Sequence, residues 1–88
     1  MGKYKVLIKP SALKELEAIT LKKDRQRIAL KIKSLGDDPR PAGCQKLSGH
    51  DRFRLRLGQS RIPYEINDNM LFIYVVKVGH RKDVYRGL

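Results

Sequence analysis

Tryptophan is absent from this 88-residue chain, phenylalanine occurs twice and cysteine once. Its core must therefore be built from Leu, Ile, Val and the four tyrosines. Cys44 has no second cysteine for an internal disulfide, and one thiol does not make a zinc site, so it reads as an incidental cytosolic thiol. Acidic residues are also scarce, nine Asp and Glu against 20 Lys and Arg. They are scattered along the chain, which offers no carboxylate cluster for a hard cation; no metal and no cofactor are expected. No apolar run approaches the length of a membrane span, and the N-terminus lacks the apolar region of a signal peptide, so a cytoplasmic protein is expected. Repeats and low-complexity segments are missing too. The length bounds the chain to a single domain, 1–88.

What is present is positive charge, a net +11. Residues 1–42 carry 11 basic and five acidic side chains, and residues 43–88 carry nine and four. A surplus of this density repels itself, which costs stability unless an anion binds, so a polyanionic partner is expected: nucleic acid or an acidic protein. A merely solubilising surplus is the plainer alternative.

Tyr4 to Lys9 reads as a first strand, ended by Pro10. Ser11 is then a plausible N-cap for a short helix with Leu13, Leu16 and Ile19 or Thr20 on its inner stripe. A second helix is expected from about Lys22 to Leu35, with Leu21, Ile28, Ile32 and Leu35 on one face and basic residues around the rest. Leu30 falls opposite that stripe. Gly36 suits the C′ position and Asp37-Asp38-Pro39 confirms the stop. Residues 37–50 read as a loop. Three strand signals follow: Arg52 to Leu57, Arg61 to Ile66, and Leu71 to Val78. The whole predicts an α+β domain, a small antiparallel β-sheet in the order β-α-α-β-β-β with two N-terminal helices packed on it.

Parity gives the first of these hairpins more detail. In RFRLRL, Phe53, Leu55 and Leu57 share one face and Arg52, Arg54 and Arg56 the other. Matching the apolar set to Ile62, Tyr64 and Ile66 requires an even match across the turn; a two-residue turn at Gly58-Gln59 satisfies this, and glycine first suits type II′. Leu55 then pairs with Ile62 and Phe53 with Tyr64, while Arg56 stands opposite Arg61 and Arg52 opposite Glu65. Like charges directly opposite are destabilising. An absent anion explains their retention, and guanidinium geometry suits phosphate; a solvated strand face is the bland reading. Pro63 cannot donate a ladder hydrogen bond, so either a bulge or an unpaired edge must lie beside it. The last strand is apolar on both faces, and its register is left open.

The chain closes on VGHRKDVYRGL. His80 and Tyr85 are candidates for moving protons, and Arg81 and Arg86 for binding phosphate.

With those residues in view, nearly the whole chain resembles the RelE-type toxins of the RelE/ParE toxin–antitoxin superfamily. The resemblance is carried by RFRLRLGQSRIPYEI, the hydrophobic strand after it and VGHRKDVYR, together with Lys46–Gly49 (KLSG), the helical pair and the opening strand. It implies cleavage of mRNA in the ribosomal A site by a cationic sheet surface and the C-terminal segment. Arg54 and Arg56 fall where well-studied members carry two lysines, Arg61 is the basic residue opening the next strand, and Arg81 and Tyr85 match the C-terminal arginine and tyrosine. Ser60 stands where an aromatic residue is usual. Because arginine stays protonated, Arg54 and Arg56 cannot accept a proton, which leaves His80 and Tyr85 for that task. The implied catalytic set is thus Arg54, Arg56, Arg61, His80, Arg81 and Tyr85, flanked by Lys46, Arg52, Lys82 and Arg86 as RNA contacts.

The expected reaction is metal-independent: the ribose 2′-OH attacks the adjacent phosphate. The resemblance further implies a cognate RelB-like antitoxin as partner, the ribosome and mRNA as targets, no membrane, and operator DNA reached only through the antitoxin complex. A ParE-like inhibitor of DNA gyrase, without nuclease activity, is the alternative within the superfamily. A nucleic-acid-binding module without catalysis is a third reading, but leaves the C-terminal cluster unexplained.

Overall fold

The computed structural model describes residues 3–47 and 52–80, with His80 described by its backbone alone. The elements run β1 (Lys5–Ile8), α1 (Pro10–Glu17), α2 (Lys22–Ser34), β2 (Cys44–Lys46), β3 (Arg52–Leu57), β4 (Ser60–Asn67), β5 (Phe72–Val75) and β6 (Gly79–His80). The sheet order is β1-β5-β4-β3-β2, with the two-residue β6 beside β4. Both helices contribute to one core with the inner face of the sheet: Leu16, Ile28 and Ile32 from the helices meet Leu55, Ile62, Tyr64, Ile73 and Val75 from the strands.

The sheet is mixed rather than wholly antiparallel as expected: β1 runs parallel to β5, while the other pairings are antiparallel. A parallel neighbour needs a crossover connection instead of a hairpin. The two helices supply its start, carrying the chain across one face before β2 begins. Residues 37–50 are not all loop either, since Cys44–Lys46 form β2, an edge strand antiparallel to β3. Cys44 packs partly against the core.

Helix α1 begins two residues earlier than Ser11 as an N-cap would place it. Pro10 occupies its first turn and Lys9 is the N-cap, with no side-chain cap bond; proline's fixed φ suits that start. Ala12, Leu16 and Ile19 are therefore the buried stripe, and Leu13 is 42% exposed. Leu21 precedes α2 as its extended N-cap, outside the helical period, and is 51% exposed. Leu30 is exposed, as its position opposite the stripe predicted.

Gly36 serves a different purpose from the one expected. The positive-φ glycines among the described residues are Gly43 and Gly58, so Gly36 is no left-handed cap. It is instead where the end of α2 touches β1: Tyr4 donates its N–H to the Gly36 carbonyl at 3.0 Å. A Cβ there would lie 2.9 Å from the Tyr4 carbonyl oxygen. The last turn closes by i→i−3 bonds, from Leu35 to Ile32, Gly36 to Lys33 and Asp37 to Ser34.

Candidate functional site: an open arginine face

The β3–β4 register is the one expected from parity and a two-residue Gly58-Gln59 turn, with Leu55 on Ile62, Phe53 on Tyr64, Arg56 on Arg61 and Arg52 on Glu65. Gly58 has φ +60°, and Leu71 is the one non-glycine residue with positive φ among those described. A turn with positive φ at its first central residue alone is type II′.

Pro63 resolves into a bulge opposite it, not a free edge. β5 pairs with Tyr64–Asn67, and β6 pairs with Ser60–Arg61. Between these, residues 62–63 of β4 face residues 76–78, so the partner segment has one extra residue. The Pro63 carbonyl accepts the Val76 N–H at 3.1 Å. Pro63 thus turns its backbone toward the bulge, where a missing N–H breaks no regular ladder bond, and the β3 side stays intact. Glu15 of α1 secures the same break. Its carboxylate accepts the Val78 N–H at 3.2 Å and pairs with Lys77 at 2.7 Å.

Helices cover the inner face of the sheet, and none of the described residues on the outer face is buried. Across β3 and β4 that face carries Arg52, Arg54, Arg56 and Arg61. Two of these guanidiniums are held from within. Arg54 donates to Gln45 Oε1 at 2.8 Å, and Arg52 pairs with Glu65 at 3.3 Å. Arg56 and Arg61 are both exposed and directly opposite, and no carboxylate among the described residues pairs with either. The carboxylate of this face, Glu65, lies four residues along β4 from Arg61, about 13 Å at roughly 3.3 Å per residue. The Arg56–Arg61 end of the face is consequently the strongest place for an anion.

The other predicted site residues divide three ways. Lys46 pairs with Phe53, so its register position belongs to the opposite face, at the exposed edge of the sheet. The backbone of His80 pairs with Ser60, which brings the start of the C-terminal segment beside Arg61. Arg81, Lys82, Tyr85 and Arg86 lie outside the described residues. Gln45 went unnoticed in the sequence because a three-residue edge strand is too short to show periodicity. Tyr74 and Phe72 were missed on the arginine face because the β4–β5 register was not readable; they pair with Glu65 and Asn67.

The shifted ionisations belong to the far end of the sheet, where they serve structure. Tyr4 donates to Asp68 at 2.6 Å, and Arg40 pairs with Asp68 at 2.8 Å while stacking over Phe53 at 5.3 Å. Arg40 first, then Tyr4, holds the Asp68 carboxyl below its ordinary range, and the bond to Asp68 raises the Tyr4 phenol. Tyr64, raised mainly by burial, donates to the Pro39 carbonyl at 2.7 Å and anchors residues 37–43 to the core. A depression of about 280 Å³ between α2 (Asp24, Arg27 and Ile28, with Leu21 before it) and the β3–β4 turn (Leu57 to Ser60) lies on the helix side of the sheet. Among the described residues, no three His, Cys, Asp or Glu side chains converge. No helix among them is long and apolar enough to cross a membrane.

Two helices packed on one face of a mixed sheet is the architecture that this chain shares with the small toxins to which it compares. Residues 6–85 match the family model of the ParE toxin of the type II toxin–antitoxin system parDE. An Escherichia coli protein described as a RelE-like toxin is 33% identical over 87 residues, covering 94% of this chain and 90% of that protein. The archaeal RelE–RelB complex from Pyrococcus horikoshii OT3 holds a chain that superposes with a TM-score of 0.81 at 28% identity, covering 90% of this chain and 96% of that one. A mutant E. coli RelE toxin in the free state superposes at 0.73 with 25% identity, over 98% and 93% of the two chains. The chain belongs to the RelE/ParE family and is a RelE-type toxin of a type II toxin–antitoxin system.

Proposed function

We propose that this toxin is a ribosome-dependent endoribonuclease that cuts mRNA in the A site. The observation that carries the reading is the exposed Arg56–Arg61 pair on the open sheet face, next to the point where β6 delivers the C-terminal segment. In the reaction, the ribose 2′-oxygen bonds to the adjacent phosphorus and the bond to the 5′-oxygen breaks. The products are a 2′,3′-cyclic phosphate and a free 5′-hydroxyl. Arg56, Arg61 and Arg81 hold the phosphate and offset the charge that grows on its oxygens, with Arg54 in support. Tyr85 or His80 moves the proton from the 2′-hydroxyl toward the leaving oxygen, since guanidiniums cannot. No step requires a metal. A flat face suits a substrate presented by a larger body better than one enclosed in a cleft, and action on the translating ribosome places the protein in the cytoplasm. Lys82, Arg86 and Arg52 supply further phosphate contacts, Lys46 lies on the other side of the sheet and does not join them, and the basic α2 docks on ribosomal RNA.

A RelB-like antitoxin is the proposed partner, supported by the likeness to chains from RelE–RelB complexes. The test is primer extension on a message translated in a purified system, with wild type, Arg61→Ala, Arg81→Ala and Tyr85→Phe. Discrete cuts within A-site codons, dependent on ribosomes and lost in the variants, are expected. An intact message under wild-type toxin refutes the reading, and trapped gyrase–DNA complexes in its place would favour the ParE-like alternative that the family model's name suggests.

A further inference from the structure

The arginines occupy half of the open face; the other half is aromatic. Tyr74 is flanked by Glu65 on β4 and Leu7 on β1, and Phe72 by Asn67 and Lys5. Phe72 and Tyr74 are half-buried and Leu7 is 39% exposed, whereas Ile73 and Val75, alternating with them on β5, are fully buried beneath the helices. A solvent-facing sheet surface ordinarily alternates to polar residues. Here two of the chain's six aromatic side chains stand on it instead. From β1 to β3, the described residues of this face offer Lys5, Arg52, Arg54, Arg56 and Arg61 against Glu65.

We infer that Phe72 and Tyr74 form a stacking surface for unpaired RNA bases, adjoining the arginine row that binds the phosphates of the same strand. The inference rests on the RNA reading above and extends it by naming where bases are held. Open sheet faces that combine aromatic rings with cations bind single strands in this way, because every base has a π-face and stacking needs no particular sequence. Two residues apart on one strand, the rings are separated by about 6.6 Å, enough to seat two bases side by side. Tyr74 stands about 15 Å from the Arg56–Arg61 pair, taking strand rise and strand spacing together, a distance that a few nucleotides span. The stacking surface therefore engages bases flanking the scissile position, and fixes the register of the message over the arginines. An acidic polypeptide would satisfy the cations but would leave the flat rings without a matching partner.

The test uses the full-length protein and a short single-stranded RNA, 2′-O-methylated throughout so that it cannot be cut, with one 2-aminopurine base as a stacking reporter. Affinity, its salt dependence and the fluorescence quench are compared for wild type, Tyr74→Leu, Phe72→Leu, Tyr74→Phe and Arg61→Ala. Leucine keeps bulk and apolar contact with Leu7 but removes the flat ring, and thermal melts verify that both leucine variants fold. Each leucine variant is expected to bind about five- to 150-fold more weakly, the equivalent of about 1–3 kcal/mol of stacking per base. Their salt slope should be that of wild type, and the quench should be lost at one or both sites. Tyr74→Phe should bind like wild type. Arg61→Ala should weaken binding and lower the salt slope by about one. Wild-type affinity and quenching in both leucine variants, with Arg61→Ala still impaired, overturn the inference and leave the RNA reading standing. Binding of a glutamate-rich peptide by wild type, with none of the RNA, overturns both.

Discussion

Replacing Arg61 with glutamate should make this protein more stable and inactive at once. Residues 61, 63 and 65 of β4 turn their backbone groups away from β3, as the Pro63 carbonyl bonded to Val76 requires. Arg56 and Arg61 therefore form a non-hydrogen-bonded pair, in which opposed Cα atoms approach to about 4.5 Å. A like-charged pair in that position costs a few tenths of a kcal/mol, and an opposite pair returns about 0.2–1 kcal/mol. Both side chains are exposed and can splay, so the lower part of the combined range applies, about 0.5–1 kcal/mol. For a domain of this size that corresponds to a rise in Tm of roughly 2–8 °C at low salt. Screening shortens to about 3 Å near 1 M salt, where the gain should vanish. Circular-dichroism melts of wild type, Arg61→Gln and Arg61→Glu at low and high salt measure the effect, with glutamine expected between the other two. Message cleavage by Arg61→Glu should be abolished, because a carboxylate would then face the scissile phosphate. A lower Tm at low salt, or a gain that salt does not diminish, would refute the electrostatic argument. Retained cleavage would remove Arg61 from the site.

Three further outcomes follow from the fold. Gly36→Ala drives a Cβ to 2.9 Å from the Tyr4 carbonyl, and parting α2 from β1 should cost about 1–3 kcal/mol, read as a lower denaturation midpoint at unchanged slope. Glu15→Ala removes the acceptor of the part-buried Val78 N–H and should destabilise by about 1–3 kcal/mol, with faster amide exchange around residues 76–80 than in the centre of β4. Asp68 has a depressed folded pKa, owing first to Arg40 and then to Tyr4. Its stabilising contribution is present above the ordinary carboxylate range and is lost as pH falls through the lower folded value. Asp68→Asn should consequently flatten the acid limb of the stability–pH curve and leave its neutral region changed least in slope, which urea titrations at a series of pH values would reveal. An acid limb as steep as that of wild type would contradict that assignment.

Alternation and turn chemistry within a single stretch of chain determined the centre of this molecule. RFRLRL, a glycine-led turn and the apolar set Ile62, Tyr64 and Ile66 admit one register, since a slip of one residue would exchange the core face with the arginine face. The opposition of Arg56 and Arg61 was legible for that reason, and so was α2, whose buried Ile28 and Ile32 recur at helical spacing with Leu35 at its C-cap. The errors were local where proline shifted a boundary, as at Ser11 and Leu13. Where a partner came from far along the chain, no local pattern could show it. Only the tertiary structure decided that β1 lies parallel to β5, that Gly36 is small because Tyr4 crosses it, and that Gln45 on a three-residue strand steadies Arg54. It also set the one-residue bulge opposite Pro63 that starts β6 beside Arg61, and brought Phe72 and Tyr74 onto the arginine face. Periodicity reports which side of its own element a residue occupies; which elements then share a face depends on closing long loops and packing one core, and the chain settles that only when it folds.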